Sequence, residues 1–193
     1  SGVPNFWDIL CGDNLYKISQ KFGTPLDVLI AVNELKNPSL LKVGQELIIP
    51  INIGSRDGSV NRWTILSSLI WPAVGRISSD YGWRTHPIYG NRQFHGGIDI
   101  AIPTGTPVKA AASGTVIQAG YMDGFGYGVV IYHGDGVTTW YGHLSQVLVK
   151  KGDAVMRGQI IARSGNTGIS TGPHLDFRIK IDDETVNPRI YLP

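Results

Sequence analysis

Hydrophobic residues in the first fifty positions are spaced first as in a strand, then as in helices, and then as in a strand again. Residues 7–10 and residues 47–49 each favour a short strand. Leu15, Ile18 and Phe22 recur at helical spacing after a Gly-Asp-Asn turn whose polar residues can cap a helix. A Thr-Pro pair further along suits the start of a second helix. The pattern predicts two helices packed on a two-stranded sheet.

The pattern changes at about residue 70, where short apolar runs begin to alternate with glycine-rich turns. The runs are residues 107–110, 114–117, 128–132, 137–141 and 159–162. Turns at this density favour many short strands over a helical bundle. Strands joined in this way suggest antiparallel sheets folded on each other. We therefore predict a mostly β fold with a small α+β module at its start.

The segment between the two patterns has the small, polar composition of an exposed linker. The sequence predicts domains at residues 4–50 and 70–193, joined by a linker at residues 51–69. Trp63, Ile65 and Leu66 are too apolar for a pure linker. The sequence does not decide which domain these three residues pack against.

Composition and charge exclude several classes of protein. With 42% hydrophobic and 17% charged residues, the chain suits a folded protein rather than a disordered one. Seventeen basic and fifteen acidic residues, with no basic run longer than Lys150 and Lys151, argue against nucleic-acid binding. No apolar run is long enough to span a membrane. The single cysteine, Cys11, excludes an internal disulfide and is expected to be a small, partly buried apolar residue.

One segment near the end of the chain combines a strand-like pattern with chemistry. In a strand, residues i and i+2 face the same side, so His174 and Asp176 should point together into one site. Leu175, Phe177 and Ile179 should then face the opposite side and pack in a core. Imidazole and carboxylate groups are both good ligands for zinc. This segment is therefore a candidate half of a metal site.

The histidines of the chain cluster in its second half and are His86, His95, His133, His143 and His174. His95 and Asp99 are separated by a Gly-Gly turn that can bring both side chains onto one ion. His143 follows a predicted strand and supplies a further imidazole. His133 lies in a hairpin-like Gly-Asp-Gly context, where a structural role is favoured over a ligand role.

The first fifty residues resemble the LysM module at residues 12–15, 22–24, 37–38 and 43–50. This resemblance implies a βααβ domain that binds N-acetylglucosamine-containing glycans, such as peptidoglycan or chitin. The residues it implies for glycan binding are Gly12, Asp13, Asn14, Leu15, Asn37, Leu40 and Leu41. Asp13 and Asn14 have an alternative role, because either residue can simply cap the helix that follows.

The second half of the chain looks like the lysostaphin-type (LytM-type) zinc endopeptidases, whose motifs match in order. The matching segments include residues 80–87, 94–101, 140–145 and 165–175. The resemblance implies an antiparallel two-sheet β domain with one zinc ion and a groove that cleaves peptide bonds of bacterial peptidoglycan. It also implies an extracellular or cell-wall location.

Carried over by position, the resemblance makes His95 and Asp99 zinc ligands. His143 and His174 become the catalytic histidines that do not bind the ion and instead handle the water and the oxyanion. His86 aligns with a position where some relatives place an aromatic residue near the substrate. A substrate contact and a structural turn are equally compatible with His86.

The chain departs from the family pattern at the third zinc ligand, where Asp176 replaces the second histidine of His-x-His. A carboxylate binds zinc well, but it reaches roughly an ångström less far from the backbone than the distal imidazole nitrogen. Zinc held by two carboxylates and one imidazole is formally neutral, which predicts slower activity or a higher pH optimum.

Two hypotheses follow from this departure. The first is a zinc endopeptidase that hydrolyses peptidoglycan peptides while its LysM module holds the glycan. The second is a catalytically degenerate, glycan-binding scaffold or regulator in which Asp176 weakens or abolishes zinc binding. Stoichiometric zinc in the purified protein would support the first hypothesis, and its absence would support the second.

Overall fold

The computed structural model describes residues 5–22, 24, 26, 29–30, 33, 35, 37, 41–49, 62–85 and 90–193. The chain divides into two compact units, Ser1–Ser67 and Ser68–Pro193. The predicted mostly β fold class is confirmed. In the described part of the chain, no helix is long and apolar enough to cross a membrane.

The first unit contains a two-stranded antiparallel sheet of β1 (Asn5–Asp8) and β2 (Glu46–Ile49), with helix α1 (Leu15–Phe22) between them in sequence. The predicted strand, helix and closing strand are therefore present, although β1 begins two residues before the predicted position. Most residues of the predicted second helix lie outside the described residues. The core of this unit consists of Ile9, Leu15, Ile18, Leu29, Leu47 and Ile49.

Two asparagines complete the backbone hydrogen bonding of the first unit. The Lys17 amide donates to Oδ1 of Asn14 at 2.8 Å, so Asn14 caps the start of α1. Asn33 donates from Nδ2 to the carbonyl oxygens of Leu29 and Ile48 and accepts from the Ile48 amide. Asn33 thereby fixes the position of β2 against the segment that precedes it.

A short helix, α2 (Arg62–Ser67), lies in the range that the sequence pattern predicted as linker. Ile65 and Leu66 are buried on this helix, which accounts for their apolar character. Residues 51–61 lie outside the described part of the chain.

The described residues of the second unit form antiparallel strands. They are β3 (Arg76–Ser79), β4 (Gly82–Thr85), β5 (Arg92–His95), β6 (Ile98–Ala101), β7 (Pro107–Lys109), β8 (Gly114–Met122), β9 (Gly126–Gly134), β10 (Val137–Val147), β11 (Ala154–Val155), β12 (Ile160–Ser164), β13 (His174–Ile181) and β14 (Glu184–Val186). Ten of these strands form one hydrogen-bonded sheet in the order β11-β8-β9-β10-β13-β6-β3, with β12 paired to β10, β7 to β12 and β14 to β13. Strands β4 and β5 pair with each other as a separate two-stranded sheet.

Strand β10 connects the parts of this sheet because it changes partners along its length. Its first residues pair with β9 and β13, and its last residues, from Leu144 onward, pair with β12. The register with β9 shifts between Tyr141 and Leu144. His143 lies within this shift and has a left-handed φ of 60°. The irregularity places His143 away from a regular ladder position.

The alternation predicted for β13 is present. Leu175, Phe177 and Ile179 are fully buried on one face of the strand, as expected for core residues. In the neighbouring strand, Asp99 lies directly opposite Asp176 in the antiparallel register. The sheet therefore brings the two candidate carboxylates together.

Candidate metal centre

His95 and Asp99 meet at the turn between β5 and β6. His95 Nε2 lies 3.3 Å from Asp99 Oδ1, and both side chains are almost completely buried. A Cβ atom on Gly97 would lie 2.5 Å from Cγ of Arg178 and from the Phe177 carbonyl oxygen. This position therefore accepts only glycine, which lets the turn lie close against β13.

Asp176 completes a set of three candidate metal ligands. One ligand atom from each of His95, Asp99 and Asp176 lies within 4.8 Å of the other two. His95 Nε2 and Asp99 Oδ1 are buried without a hydrogen-bond partner, which is costly unless another group satisfies them. An imidazole nitrogen and carboxylate oxygens are the donors that zinc prefers. The donor set therefore fits a divalent ion.

Two arginines, neither identified from the sequence, contact these carboxylates. Arg84 donates to Asp99 Oδ2 at 2.9 Å and lies 3.2 Å from His95 Nδ1. Arg178 donates from Nε to Asp176 Oδ1 at 2.9 Å and from Nη2 to Oδ2 at 2.7 Å. The alternation of a strand provides a signal for Arg178, because this residue is two positions beyond Asp176 on the same face. No comparable local signal indicates Arg84.

The pKa values of the charged groups reflect this pairing. Burial alone would raise the pKa of Asp99, but the interaction with His95 and the charges of His95, His174 and Arg84 lower it below its ordinary value. Burial opposes the charge of Arg178, but its hydrogen bonds to Asp176 outweigh burial and raise its pKa. Asp99 is therefore a carboxylate and Arg178 a guanidinium cation at neutral pH.

The two remaining candidate histidines lie next to each other, with ring centroids 4.6 Å apart. His143 Nδ1 lies 2.8 Å from the Thr167 carbonyl oxygen, and His174 Nδ1 lies 2.8 Å from the Gly172 carbonyl oxygen. Since a carbonyl oxygen can only accept, each Nδ1 carries the donated proton and each Nε2 retains a lone pair in the neutral ring. His174 Nε2 lies 3.5 Å from Asp99 Oδ1.

Burial is the main cause that lowers the pKa of His143, and His174 adds to this effect. The Thr167 carbonyl and the charges of Asp176 and Asp99 act in the opposite direction without reversing it. His143 is therefore neutral at neutral pH and can accept a proton.

These groups lie in one cavity of about 290 Å³. Its other lining residues include Gln93, Phe94, Phe125, Ile169, Ser170 and Thr171. Phe125 stacks beside His143 with an angle of 16° between the rings. A Cβ atom on Gly142 would overlap Phe125, so this glycine gives the ring its space. His86 lies outside the described residues.

His133 is buried apart from this cavity, in agreement with its predicted structural role. His133 Nδ1 lies 2.9 Å from the Ser113 carbonyl oxygen, and His133 Nε2 lies 2.7 Å from the Thr139 hydroxyl. The Thr139 hydroxyl in turn lies 2.9 Å from the Tyr141 hydroxyl. His133 therefore belongs to a buried polar network in the sheet.

In the first unit, several of the candidate glycan-binding residues have structural partners. Asp13 accepts from the Leu10 amide and from Trp7 Nε1, both at 3.0 Å, and these bonds lower its pKa. Asn14 caps α1, and Leu15 is buried in the core. Gly12 has a φ of 90°, which its turn requires.

The remaining candidates lie in the second predicted glycan-binding loop. Asn37 is exposed, and Leu41 is half-buried against the core of the first unit. Leu40 lies outside the described residues.

Comparison with known families gives two matches along the chain. Residues 93–188 match the family described as Peptidase family M23. Residues 12–50 match the LysM domain. The two matches fall in the two units of the structure.

Similar proteins differ in how much of the chain they share. The DD-carboxypeptidase/endopeptidase Mpg of Neisseria meningitidis serogroup B is 46% identical over 113 residues, which are 58% of this chain and 26% of that protein. The chain thus spans about a quarter of the length of the first curated relatives that it matches. The uncharacterized lipoprotein YgeR of Escherichia coli K12 is 30% identical in an alignment 208 positions long that covers 94% of this chain and 78% of that protein.

Among solved structures, the catalytic domain of lysostaphin from Staphylococcus simulans is similar, with 38% sequence identity and a TM-score of 0.55. The alignment covers 60% of this chain and 90% of the lysostaphin domain. Together with the family match and the long alignment to YgeR, this similarity establishes that the chain belongs to peptidase family M23 and carries a LysM domain ahead of its peptidase-type unit.

Proposed function

We propose that this chain is a zinc endopeptidase that hydrolyses peptide bonds in bacterial peptidoglycan, while its LysM domain holds the glycan. The observation that carries this proposal is the pair of buried, unpartnered atoms, His95 Nε2 and Asp99 Oδ1, beside two imidazoles with available Nε2 atoms. The similarity to Mpg, a DD-carboxypeptidase/endopeptidase, and to lysostaphin, an antimicrobial peptidase, agrees with it. The proposed location is extracellular or cell-wall associated.

His95, Asp99 and Asp176 would hold one zinc ion. When bound, the ion supplies Lewis acidity that polarises the scissile carbonyl and makes a water molecule more acidic. The protein supplies the walls of the cavity and fixes the two carboxylates by their arginine partners. The main-chain turn at Gly97 brings the ligands together.

His143 and His174 are proposed to carry the proton transfers. His143 is neutral because of its burial, and its Nε2 lone pair is available, so it suits the proton acceptor. His174 is then assigned to the developing oxyanion, a role that requires the doubly protonated ring, in which Nε2 donates to the oxyanion while Nδ1 donates to the Gly172 carbonyl oxygen. Phe125 keeps the His143 ring in place by stacking.

The proposed glycan site consists of the loops around residues 12–15 and 37–41 of the LysM domain. Because Leu15 is buried, it supports the first loop from the core, and direct contacts are assigned to exposed groups such as Gly12 and Asn37. Leu40 and Leu41 belong to the second loop in this proposal, and His86 is proposed as a substrate contact near the groove.

One observation favours the second candidate, a non-catalytic glycan-binding scaffold or regulator. Both oxygens of Asp176 accept hydrogen bonds from Arg178. A ligand so fully engaged binds an ion less readily than a free one.

Loss of turbidity of purified cell walls distinguishes the two candidates. We expect the natural chain to lower the turbidity of the walls. A chelator should abolish this activity and added zinc should restore it, and His95→Ala should be inactive. The control is Arg163→Gln, because within the described part of the chain the Arg163 side chain makes a single hydrogen bond, to the Gly105 carbonyl oxygen at 3.4 Å, outside the residues assigned to the site. Clearing by Asp176→His but not by the natural chain would instead establish the scaffold.

A further inference from the structure

The Asp176 carboxylate is held by a two-point ion pair within its own strand. Arg178 donates to both of its oxygens, at 2.9 and 2.7 Å. The Asp176 side chain is 5% exposed and that of Arg178 is 25% exposed, so solvent screens the pair only partly. This is the forked geometry in which a guanidinium binds a carboxylate most strongly.

Asp99 is engaged differently, although it also has an arginine partner. Arg84 donates to Oδ2 only and leaves Oδ1 without a hydrogen bond, facing His95 Nε2. One carboxylate of the candidate site is therefore open to an ion, whereas the other is covered on both oxygens.

Arg178 is held in its position by contacts other than the ion pair. Its guanidinium carbon lies 4.3 Å from the centroid of the Phe125 ring, a cation–π arrangement. Its aliphatic part lies where a Cβ atom on residue 97 would be, so Gly97 makes room for it. The fold thus provides a dedicated place for Arg178 beside the ligands.

We propose that Arg178 is an internal counter-ion that competes with zinc for Asp176 and sets the zinc affinity of this site. The inference rests on the proposed metal site and adds a positioning residue to it. Arg178 acts through Asp176 and is assigned no contact with substrate.

Two effects of Arg178 on an ion oppose each other. A hydrogen-bonded partner outside the ligand shell normally orients a ligand, and its loss typically weakens metal binding by about 10- to 100-fold. Arg178, however, covers both oxygens and places a positive charge beside a divalent cation in a half-buried site, where Coulomb repulsion is poorly screened. We expect the repulsion between Arg178 and zinc, and their competition for Asp176, to weaken zinc binding more than the orientation of Asp176 by Arg178 strengthens it.

The formal charge of the site changes accordingly. Zinc with Asp99 and Asp176 alone is neutral, but the charge of Arg178 raises the total by one. The Asp176–Arg178 pair thus carries the same net charge as the neutral imidazole that it replaces in the family pattern. The neutral total expected from the zinc ligands alone does not include the charge of Arg178.

The test is zinc affinity of the full chain, measured by competition with a chromophoric chelator, together with the zinc-induced shift in thermal unfolding. The variants are Arg178→Gln and Arg178→Met, and Arg163→Gln is the matched control. Methionine retains an aliphatic stem that can pack on Phe125, so it preserves the fold if glutamine does not.

We expect both Arg178 variants to bind zinc at least about tenfold more tightly and to gain a larger thermal shift from zinc, with the control within about twofold. A merely structural role would lower the unfolding temperature without increasing the zinc-induced shift. Folded Arg178 variants with unchanged or weaker zinc affinity would overturn the inference while leaving the metal site intact. If neither the natural chain nor the Arg178 variants bound zinc, the proposed metal site itself would be rejected.

Discussion

The chemistry of the second unit depends on single residues whose environment departs from a regular sheet. His143 has a left-handed backbone, which costs a residue other than glycine about 1 kcal/mol or more. The hydrogen bond to Thr167 and the stacking with Phe125 hold it in this conformation. His133, only ten residues earlier, also lies at a register shift, between Tyr132 and Gly134, but it has both ring nitrogens engaged. The two histidines differ in the availability of Nε2, not in burial.

At this scale we predict a pH dependence of stability that originates at His133. Burial lowers its pKa from the ordinary 6.5, so below about pH 6.5 the unfolded chain binds a proton that the native chain does not. This contribution is complete above that pH and is lost as the pH falls toward the lowered native pKa. Urea unfolding of the natural chain should therefore lose more free energy between about pH 7.5 and 5.5 than that of His133→Gln. Equal losses in both proteins would contradict the assignment.

Individual elements could be predicted from the sequence where the deciding interactions are local. The alternation of side chains in β13 predicted that His174 and Asp176 lie on one face of the strand. The same alternation puts Arg178, two residues after Asp176, on that face. The switch of β10 from β9 and β13 to β12 as its pairing partner could not be predicted, because strand pairing leaves no signal in the sequence of β10 itself. The role of Arg84 could not be predicted either, because this residue lies on the separate β4–β5 sheet and no local pattern shows that the sheet reaches the site.

At the scale of one helix we predict that Asn14 contributes to stability as a cap. Replacing Asn14 with alanine should lower the free energy of unfolding of the LysM unit by about 1 kcal/mol. Asn14→Asp should remain within about 0.5 kcal/mol of the natural chain, because aspartate caps equally well. Chemical denaturation followed by tryptophan fluorescence measures both, and a stable alanine variant would indicate that the side chain is not a cap.

The whole molecule combines a LysM domain with a peptidase-type unit, each with its own buried core. Hydrophobic spacing differs between the two parts of the chain, and the structure divides into two compact units. Tethering a site to an insoluble polymer raises its effective concentration at the substrate without any new contact in the site. The LysM domain should therefore affect action on walls but not action on small substrates.

A core variant of the LysM unit tests this separation of roles. Leu47 is fully buried, and Leu47→Asp places an unpaired charge there, which costs about several kcal/mol. We expect this variant to lose binding to cell walls and to clear them more slowly, while it cleaves a soluble peptidoglycan peptide at the natural rate. Val43→Asp is the matched control, because Val43 is 69% exposed in the same unit. Slower cleavage of the soluble peptide by Leu47→Asp would show that the two units depend on each other.

The register that sets Asp99 opposite Asp176 has a further consequence for anyone who redesigns this protein. Two anions side by side in a sheet are tolerated because each has its own cation, so removing either arginine alone leaves an unbalanced buried carboxylate. Engineering a different metal preference here therefore requires coordinated exchanges, in which an acidic residue and its basic neighbour are altered in the same step.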